Sequence, residues 1–513
     1  MGHLLAVDAG TGGCRATVFT DQGQLVVEAR RGWTLVPDPR WPGSVGFDTA
    51  AAWDLITTCI RESLARAGLG GRDVRAVGTA SFRGGLVLFD AAGDELWACG
   101  STDGRAADQA RAVRRADPAF ETLAYRVSGQ TLAMSALPRL LWLRERLPRV
   151  YEAATTLGMV SDWIAARLSG EHATDPSNAC TTGLLSLADR TWLPELASRW
   201  GLRTDLLPTV LEPGTVLGKV RAEPAEATGL AVGTPVVVGG GDAQLAALGL
   251  GVVRPGQAAV VGGTHWQQLI ALDRPATDPE GRVRVTCHAT GGWQAETIAL
   301  GPGAAVRWFL EAFGGETAGA DPFTGLAEAA GTVPPGSDGV LAIFSNAMHY
   351  AHWRHAAPSL LNLPVHDPSR TRATLFRALL ENAALVTRAN LDTIEASHGR
   401  RPARLAFGGG AARSPLWGQI LADVLGRPVQ VPTVTQATAL GAAILAGAGV
   451  GAFGDAAASA TALAIGGLVH EPDPATAPAY EEAFRRWRAA YASELRLAEQ
   501  GVTTPLWTPP GQD

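Results

Sequence analysis

The feature that most restricts the fold is a strand–turn–strand unit that occurs twice. Residues 4–7 are apolar, the turn Asp8-Ala9-Gly10-Thr11-Gly12-Gly13 follows, and residues 15–19 alternate as a returning strand. A further turn, Asp21-Gln22-Gly23, leads into a β-rich run at 24–28. Roughly 250 residues later, 258–272 (AAVVGGTHWQQLIAL) echoes the unit around Gly262-Gly263-Thr264. A chain of 513 residues is too long for one core and suits two large domains, so the echo reads as a domain duplication. The connector GLGVVRPG at 249–256 marks the expected boundary. The expected units are 1–249, 250–466 and a tail, 467–513, with a helix at 479–500 packed on the core before a Pro-rich end. A helix is expected over 50–67, capped by Asp48 or Thr49, then a strand at 75–79 and a hairpin around Asp90-Ala91-Ala92-Gly93. Strands mixed with crossover helices make the class α/β.

Composition removes several functions. Lys and Arg total 43 against 49 Asp and Glu, a net charge of −6 without a dense basic run, which argues against a nucleic-acid partner. If such a chain binds ATP, backbone N–H groups and a metal must carry much of the phosphate charge. The five cysteines, Cys14, Cys59, Cys99, Cys180 and Cys287, form no C-x-x-C pair, so neither a zinc site nor a disulfide framework is expected. The N-terminus lacks a basic n-region and does not read as a signal peptide. The uncharged stretch 437–454 is rich in Gly and Ala and reads as a buried helix of small residues. The expectation is a soluble, cytoplasmic protein.

Three Gly-rich turns at strand ends carry the candidate chemistry. In the first, Gly10, Gly12 and Gly13 let N–H groups face a phosphate, Thr11 adds a hydroxyl, and Asp8 is placed to hold Mg²⁺ through water; the same residues also suit a plain hairpin whose Asp caps its own turn. The run Val236-Val237-Val238-Gly239-Gly240-Gly241-Asp242 ends a strand in a carboxylate. Asp242 suits either a helix N-cap or a general base taking a hydroxyl proton. Gly408-Gly409-Gly410-Ala411-Ala412-Arg413-Ser414 suits either a nucleotide or close helix–sheet packing. His349, His352 and His355 have the spacing of ligands on a helix, but the flanking prolines argue for a loop.

In combination these motifs resemble the FGGY carbohydrate kinases of the actin, hexokinase and Hsp70 superfamily, over nearly the whole chain. The resemblance is carried by 4–20 (LLAVDAGTGGCRATVFT), Pro138-Arg139-Leu140-Leu141-Trp142-Leu143, Thr174-Asp175-Pro176-Ser177-Asn178-Ala179, Gly240-Gly241-Asp242, Gly263-Thr264, 408–414 and Thr438-Ala439-Leu440-Gly441. It implies two actin-like (ribonuclease H-like) ATPase domains flanking a cleft, with ATP as co-substrate and Mg²⁺ as cofactor. It implies Asp242 as the catalytic base. It also implies phosphate and nucleotide contacts from Gly10, Thr11, Gly12, Gly263, Thr264, Gly409, Gly410 and Ser414, and substrate contacts from Arg83, Asp103, Asp242, Trp266 and Gln267. Less generic segments, among them Gly129-Gln130-Thr131-Leu132 and Gly262-Gly263-Thr264-His265-Trp266-Gln267-Gln268, resemble one branch of the family. That branch phosphorylates the terminal hydroxyl of linear 4,5-dihydroxypentane-2,3-dione, a quorum-sensing precursor, and has the phosphocarrier protein HPr as a partner. The chain departs from the family pattern in three places: Gly84 stands for an acid, Ser101-Thr102 replaces a Trp ahead of Asp103-Gly104-Arg105, and Arg139 replaces a Lys. A kinase for a pentulose, pentitol or glycerol is the alternative within the family. A nucleotide-binding sensor with little transfer activity is the alternative outside it, and Asp242 in its Gly-Gly-Asp setting argues against that.

Overall fold

The computed structural model describes residues 2–314 and 322–511. In chain order the strands of the N-terminal half are β1 (His3–Gly10), β2 (Gly13–Thr20), β3 (Leu25–Gly32), β4 (Val74–Ser81), β5 (Leu86–Phe89), β6 (Glu95–Cys99), β7 (Thr156–Gly158), β8 (Val216–Lys219) and β9 (Pro235–Gly241). Those of the C-terminal half are β10 (Ala258–Gly262), β11 (Trp266–Leu272), β12 (Arg284–Cys287), β13 (Trp293–Ala299), β14 (Leu341–Ile343), β15 (Ser359–Leu361), β16 (Leu405–Gly408), β17 (Val429–Val431) and β18 (Leu468–His470). The N-terminal sheet runs β3-β2-β1-β4-β9-β8 and the C-terminal sheet β12-β13-β11-β10-β16-β17-β18. Each contains the same motif. An antiparallel hairpin, β1–β2 or β10–β11, sits beside a strand that runs parallel to its first member, β4 or β16. The echo that is faint in the sequence is therefore plain in the topology, which is the ribonuclease H-like pattern.

The continuous apolar run of β1 follows from burial on both faces. Leu5, Val7 and Ala9 join Ile56 and Ile60 of the helix Thr49–Ala67 in one core. Leu4 and Ala6 join Ala442 and Ala443 of the helix Ala437–Gly449 in another. Asp48 caps the first helix, its carboxylate accepting from the Ala51 N–H at 3.0 Å. The second helix is made of small residues because it lies directly against the helix Asp242–Gly249. A Cβ added at Gly441 would stand 2.0 Å from the Leu245 carbonyl oxygen. Among the described residues, no helix is long and apolar enough to cross a membrane.

On the C-terminal sheet the helix Pro368–His398 covers one face, with Asn390 donating to Gln268 at 3.0 Å. The helix Ala477–Glu499 buries Tyr480, Phe484 and Trp487, and the Trp487 indole donates to the Ala342 carbonyl at 3.2 Å. The chain then returns towards the N-terminal half, where Arg114 donates to the Gly511 carbonyl.

Candidate active site

Three parallel neighbours, β1, β4 and β9, end on the same edge of the N-terminal sheet. Their registers align Asp8 with Ala80, and Ala80 with Gly240. Asp8, Arg83 and Asp242 thus gather at one carboxyl edge, the usual place for a ligand in an open α/β sheet. The Asp242 side chain is 30% exposed, whereas Asp8 and Arg83 are nearly covered. Asp242 is the first residue of its helix, after the N-cap Gly241, and its Oδ1 accepts from the Ala243 N–H at 2.7 Å. Burial raises its pKa, opposed chiefly by Arg83, whose Nε lies 3.3 Å from Oδ1. Asp8 is raised to about 6, by burial first, with Arg15 lowering it and the charge of Asp242 raising it again. One Asp8 oxygen is buried without a hydrogen-bond partner among the described residues. A desolvated, under-satisfied carboxylate beside a second acid fits a hydrated divalent cation, since Mg²⁺ takes oxygen ligands and keeps several waters.

The three glycines before Asp242 admit the protein itself. A Cβ at Gly239 would meet the Thr79 carbonyl oxygen at 1.6 Å, one at Gly240 the Ser177 Oγ at 2.7 Å, and one at Gly241 the Arg83 Cγ at 2.8 Å. The glycines thus make room for the protein's own packing, and the last of them lets Arg83 lie against the strand end. Ser177 accepts from the Gly241 N–H at 3.1 Å and is held by Asp175, which also accepts from Asn178. The Thr-Asp-Pro-Ser-Asn segment is thus the buried floor that fixes the backbone under Asp242.

The turns at 262–264 and 408–410 adjoin each other across β10 and β16. Gly263 and Thr264 are exposed, and Gly410 is open above the 3-10 turn Gly410–Arg413. Gly409 lies against Gly262, where a Cβ would stand 2.5 Å from the carbonyl oxygen. At the first turn Thr11 and Gly12 are exposed and Gly10 is partly so. Gln267 shares a face of β11 with Leu269, which packs with Ala243 of the Asp242 helix. That places it on the side of the C-terminal sheet facing the N-terminal half.

Three expectations need correction, for Trp266, Asp103 and Ser414. Trp266 is fully buried, its ring 5.3 Å from Phe407 and 4.9 Å from Trp417, because alternation along β11 turns it into the core, away from Gln267. It is a core residue and not a substrate contact. The Asp103 carboxylate is covered and already engaged, by Arg105 at 2.7 Å and the Val45 N–H at 2.7 Å, so it pins its own loop. Ser414 is buried as the N-cap of the helix Pro415–Leu425, its Oγ accepting from the Trp417 N–H at 3.3 Å. The three histidines do not converge: the His349 and His352 rings lie 4.4 Å apart, while His355 turns towards Trp353 and Trp507.

The three departures from the family pattern meet in space. Arg139, 2% exposed, donates to the carbonyls of Gly84 and Ser101. Sequence reasoning also missed residues that the fold brings to the site. Glu296 of β13 pairs with Arg83 at 2.6 Å and with Arg284 of β12 at 3.2 Å. Arg307, on the helix Pro302–Phe313, donates to the Thr264 hydroxyl at 3.2 Å. Alternation around Glu296 was the available signal, an acid in a strand otherwise destined for burial.

Two neighbouring carboxylates at a sheet edge, one of them suited to a hydrated cation, and paired glycine turns on duplicated ribonuclease H-like sheets fit a phosphotransferase of the sugar kinase class. Residues 3–249 match the N-terminal domain, and 258–450 the C-terminal domain, of the FGGY family of carbohydrate kinases; the chain belongs to that family. It is 47% identical to the autoinducer-2 kinase of Enterobacter sp. (strain 638), covering 100% of this chain and 98% of that one. It is also 47% identical to the autoinducer-2 kinase of Escherichia coli (strain K12), covering 99% and 98%. Among solved structures, the xylulose kinase from Rhodospirillum rubrum superimposes with a TM-score of 0.81 at 28% identity, covering 98% of this chain and 100% of that one.

Proposed function

We propose that the protein transfers the γ-phosphate of ATP to the primary 5-hydroxyl of linear 4,5-dihydroxypentane-2,3-dione, the precursor of autoinducer-2. The observation that carries the reading is full-length identity of 47% to proteins named for that activity. The site supports the chemistry. The substrate hydroxyl gives its proton to Asp242 as its oxygen forms a bond to the γ-phosphorus, the bond to the β–γ bridging oxygen breaks, and ADP leaves with that oxygen. Arg83 and Gln267 face the oxygenated end of the substrate. Gly10, Thr11, Gly12, Gly263, Thr264, Gly409 and Gly410 contact the phosphates and nucleotide. Asp8 would hold Mg²⁺ through water, and the ion would supply charge neutralisation for the phosphates. We assign 1–249 and 250–466 as the two domains, closing over the substrates to exclude water, and 467–513 as the packed tail. A cytoplasmic location and an association with HPr belong to the same reading; recovery of HPr on the immobilised protein tests the latter.

ADP release with a substrate panel tests the function. The expected result is a kcat/KM for dihydroxypentanedione at least about tenfold above those for xylulose, ribulose and glycerol, a margin of ~1.4 kcal/mol in transition-state binding. A higher value for any of the three overturns the substrate and leaves the kinase. Release that no acceptor stimulates overturns the kinase.

A further inference from the structure

Arg83 is the only guanidinium within ion-pairing distance of Asp242 among the described residues, and it could neutralise the base. It does not do so fully. Its Nη1 lies 2.6 Å from both Glu296 oxygens, whereas Asp242 receives only Nε at 3.3 Å. Glu296 is 4% exposed and sits on β13 of the C-terminal sheet. Arg284 of β12 holds it from the other side at 3.2 Å, and Gln294 donates to it at 3.4 Å. The chain of contacts continues across the halves. Arg284 Nε donates to Gln130 Oε1 at 2.9 Å, and the Tyr350 hydroxyl donates to the same oxygen at 2.9 Å. Two acids and two guanidiniums balance, so the cluster is neutral as a whole.

The division between the halves gives this arrangement its meaning. Arg83, Gln130 and Asp242 belong to the N-terminal half; Glu296, Arg284 and Tyr350 belong to the C-terminal half. The contacts Arg83–Glu296, Arg284–Gln130 and Tyr350–Gln130 all cross between them, whereas Arg83–Asp242 stays within one. Separating the halves would remove the stronger partner of Arg83 and leave Asp242 as its remaining one. Bringing them together lets Glu296 outcompete Asp242, because two short charge-assisted contacts outweigh one long contact.

We propose that Glu296 is a positioning residue that draws Arg83 off Asp242 when the halves meet, so that the base is freed only in the closed form. The inference rests on the kinase reading above. It gives closure a chemical consequence: with the halves apart, Arg83 occupies the carboxylate that would accept the hydroxyl proton.

The test uses the full-length protein with ATP and its best acceptor, wild type being measured alongside. In Glu296→Gln the side chain keeps its shape and loses its charge, so Arg83 should fall back on Asp242. The expected result is a kcat lowered about 10²-fold, the cost of a misplaced reacting group, with KM for ATP within twofold of wild type. Glu296→Asp, which keeps the charge, should recover most of the loss. Arg83→Met and Arg83→Met/Glu296→Gln should have kcat values within twofold of each other, because Glu296 acts through Arg83 and has nothing left to position. If the Gln variant does not fold, the charge-balanced Arg284→Met/Glu296→Gln variant replaces it, with the same expected fall in kcat. A kcat within threefold of wild type in the Gln or balanced variant overturns the proposal. So does a further large loss on adding Glu296→Gln to Arg83→Met, which would make Glu296 merely structural. Absence of turnover by the wild type would instead sink the kinase reading.

Discussion

The two hairpins have the same architecture and opposite chemistry. The β1–β2 turn follows Asp8, whose carboxylate senses the charge of Asp242, so that wall of the site is acidic. The β10–β11 turn follows no acid. Its Thr264 receives Arg307 from the helix Pro302–Phe313, and the Ala304 N–H of that helix donates to the Thr264 carbonyl at 3.3 Å. A duplicated turn has thus been specialised by its neighbours: the first suits a cation and a proton, the second an anion. The lesson is that a glycine turn supplies a shape, and the charge placed next to it decides what the shape holds.

The largest expected effect tests the acidic wall. Asp242→Asn keeps the side-chain shape and removes its basicity, so kcat should fall by ~10²–10⁴ with ATP affinity and melting temperature close to wild type. A near-normal kcat would return Asp242 to a structural role at the start of its helix and remove the chemical contrast between the turns.

Asp8→Asn comes next. A carboxylate acting on the ion through water should be worth ~10–100-fold in turnover at low magnesium, with partial recovery as magnesium is raised. Wild-type activity across the whole magnesium titration would make Asp8 a plain turn residue and the two hairpins alike.

Arg307→Met probes the other wall. A hydrogen bond to a charged group contributes ~1.5–3 kcal/mol, so KM for ATP should rise by about 10- to 100-fold while kcat stays within twofold. A fall in kcat with KM unchanged would place Arg307 with the reacting atoms and blur the division between a cation wall and an anion wall.

The smallest effects concern the glycines themselves. A Cβ at Gly13 would stand 2.2 Å from the Arg31 carbonyl oxygen, whereas at Gly263 the nearest atom is the His265 carbonyl oxygen at 3.6 Å. Gly13→Ala should cost ~1–3 kcal/mol through the forced backbone shift, and Gly263→Ala should change stability by less than ~0.5 kcal/mol. Denaturant unfolding reads both. Equal losses would mean that the second turn is packed as tightly as the first.

Much of this was legible in the chain. The existence and order of the two hairpins, the helix capped by Asp48, the buried small-residue helix after Gln436 and the catalytic candidate Asp242 follow from periodicity, turn residues and caps, although the strands of the first hairpin run on to Gly10 and resume at Gly13, inside the expected turn. These are local properties, written in residues that are neighbours along the chain. The ordered motifs added the family. Only the tertiary structure decided the rest. A strand presents two faces, and nothing in the residues 266–268 says that Trp266 and Gln268 turn to the core while Gln267 turns to the other half. Glu296 is remote from Arg83 in sequence, and it becomes the partner of Arg83, held from the other side by Arg284, because pairing of β11, β12 and β13 puts both on the face that meets the N-terminal half. The Asp103 carboxylate, free on paper, is consumed by Arg105 once the loop closes on Val45. An unpaired charge is too costly to bury, so each buried charge is assigned by whichever partner packing brings within reach, however distant along the chain.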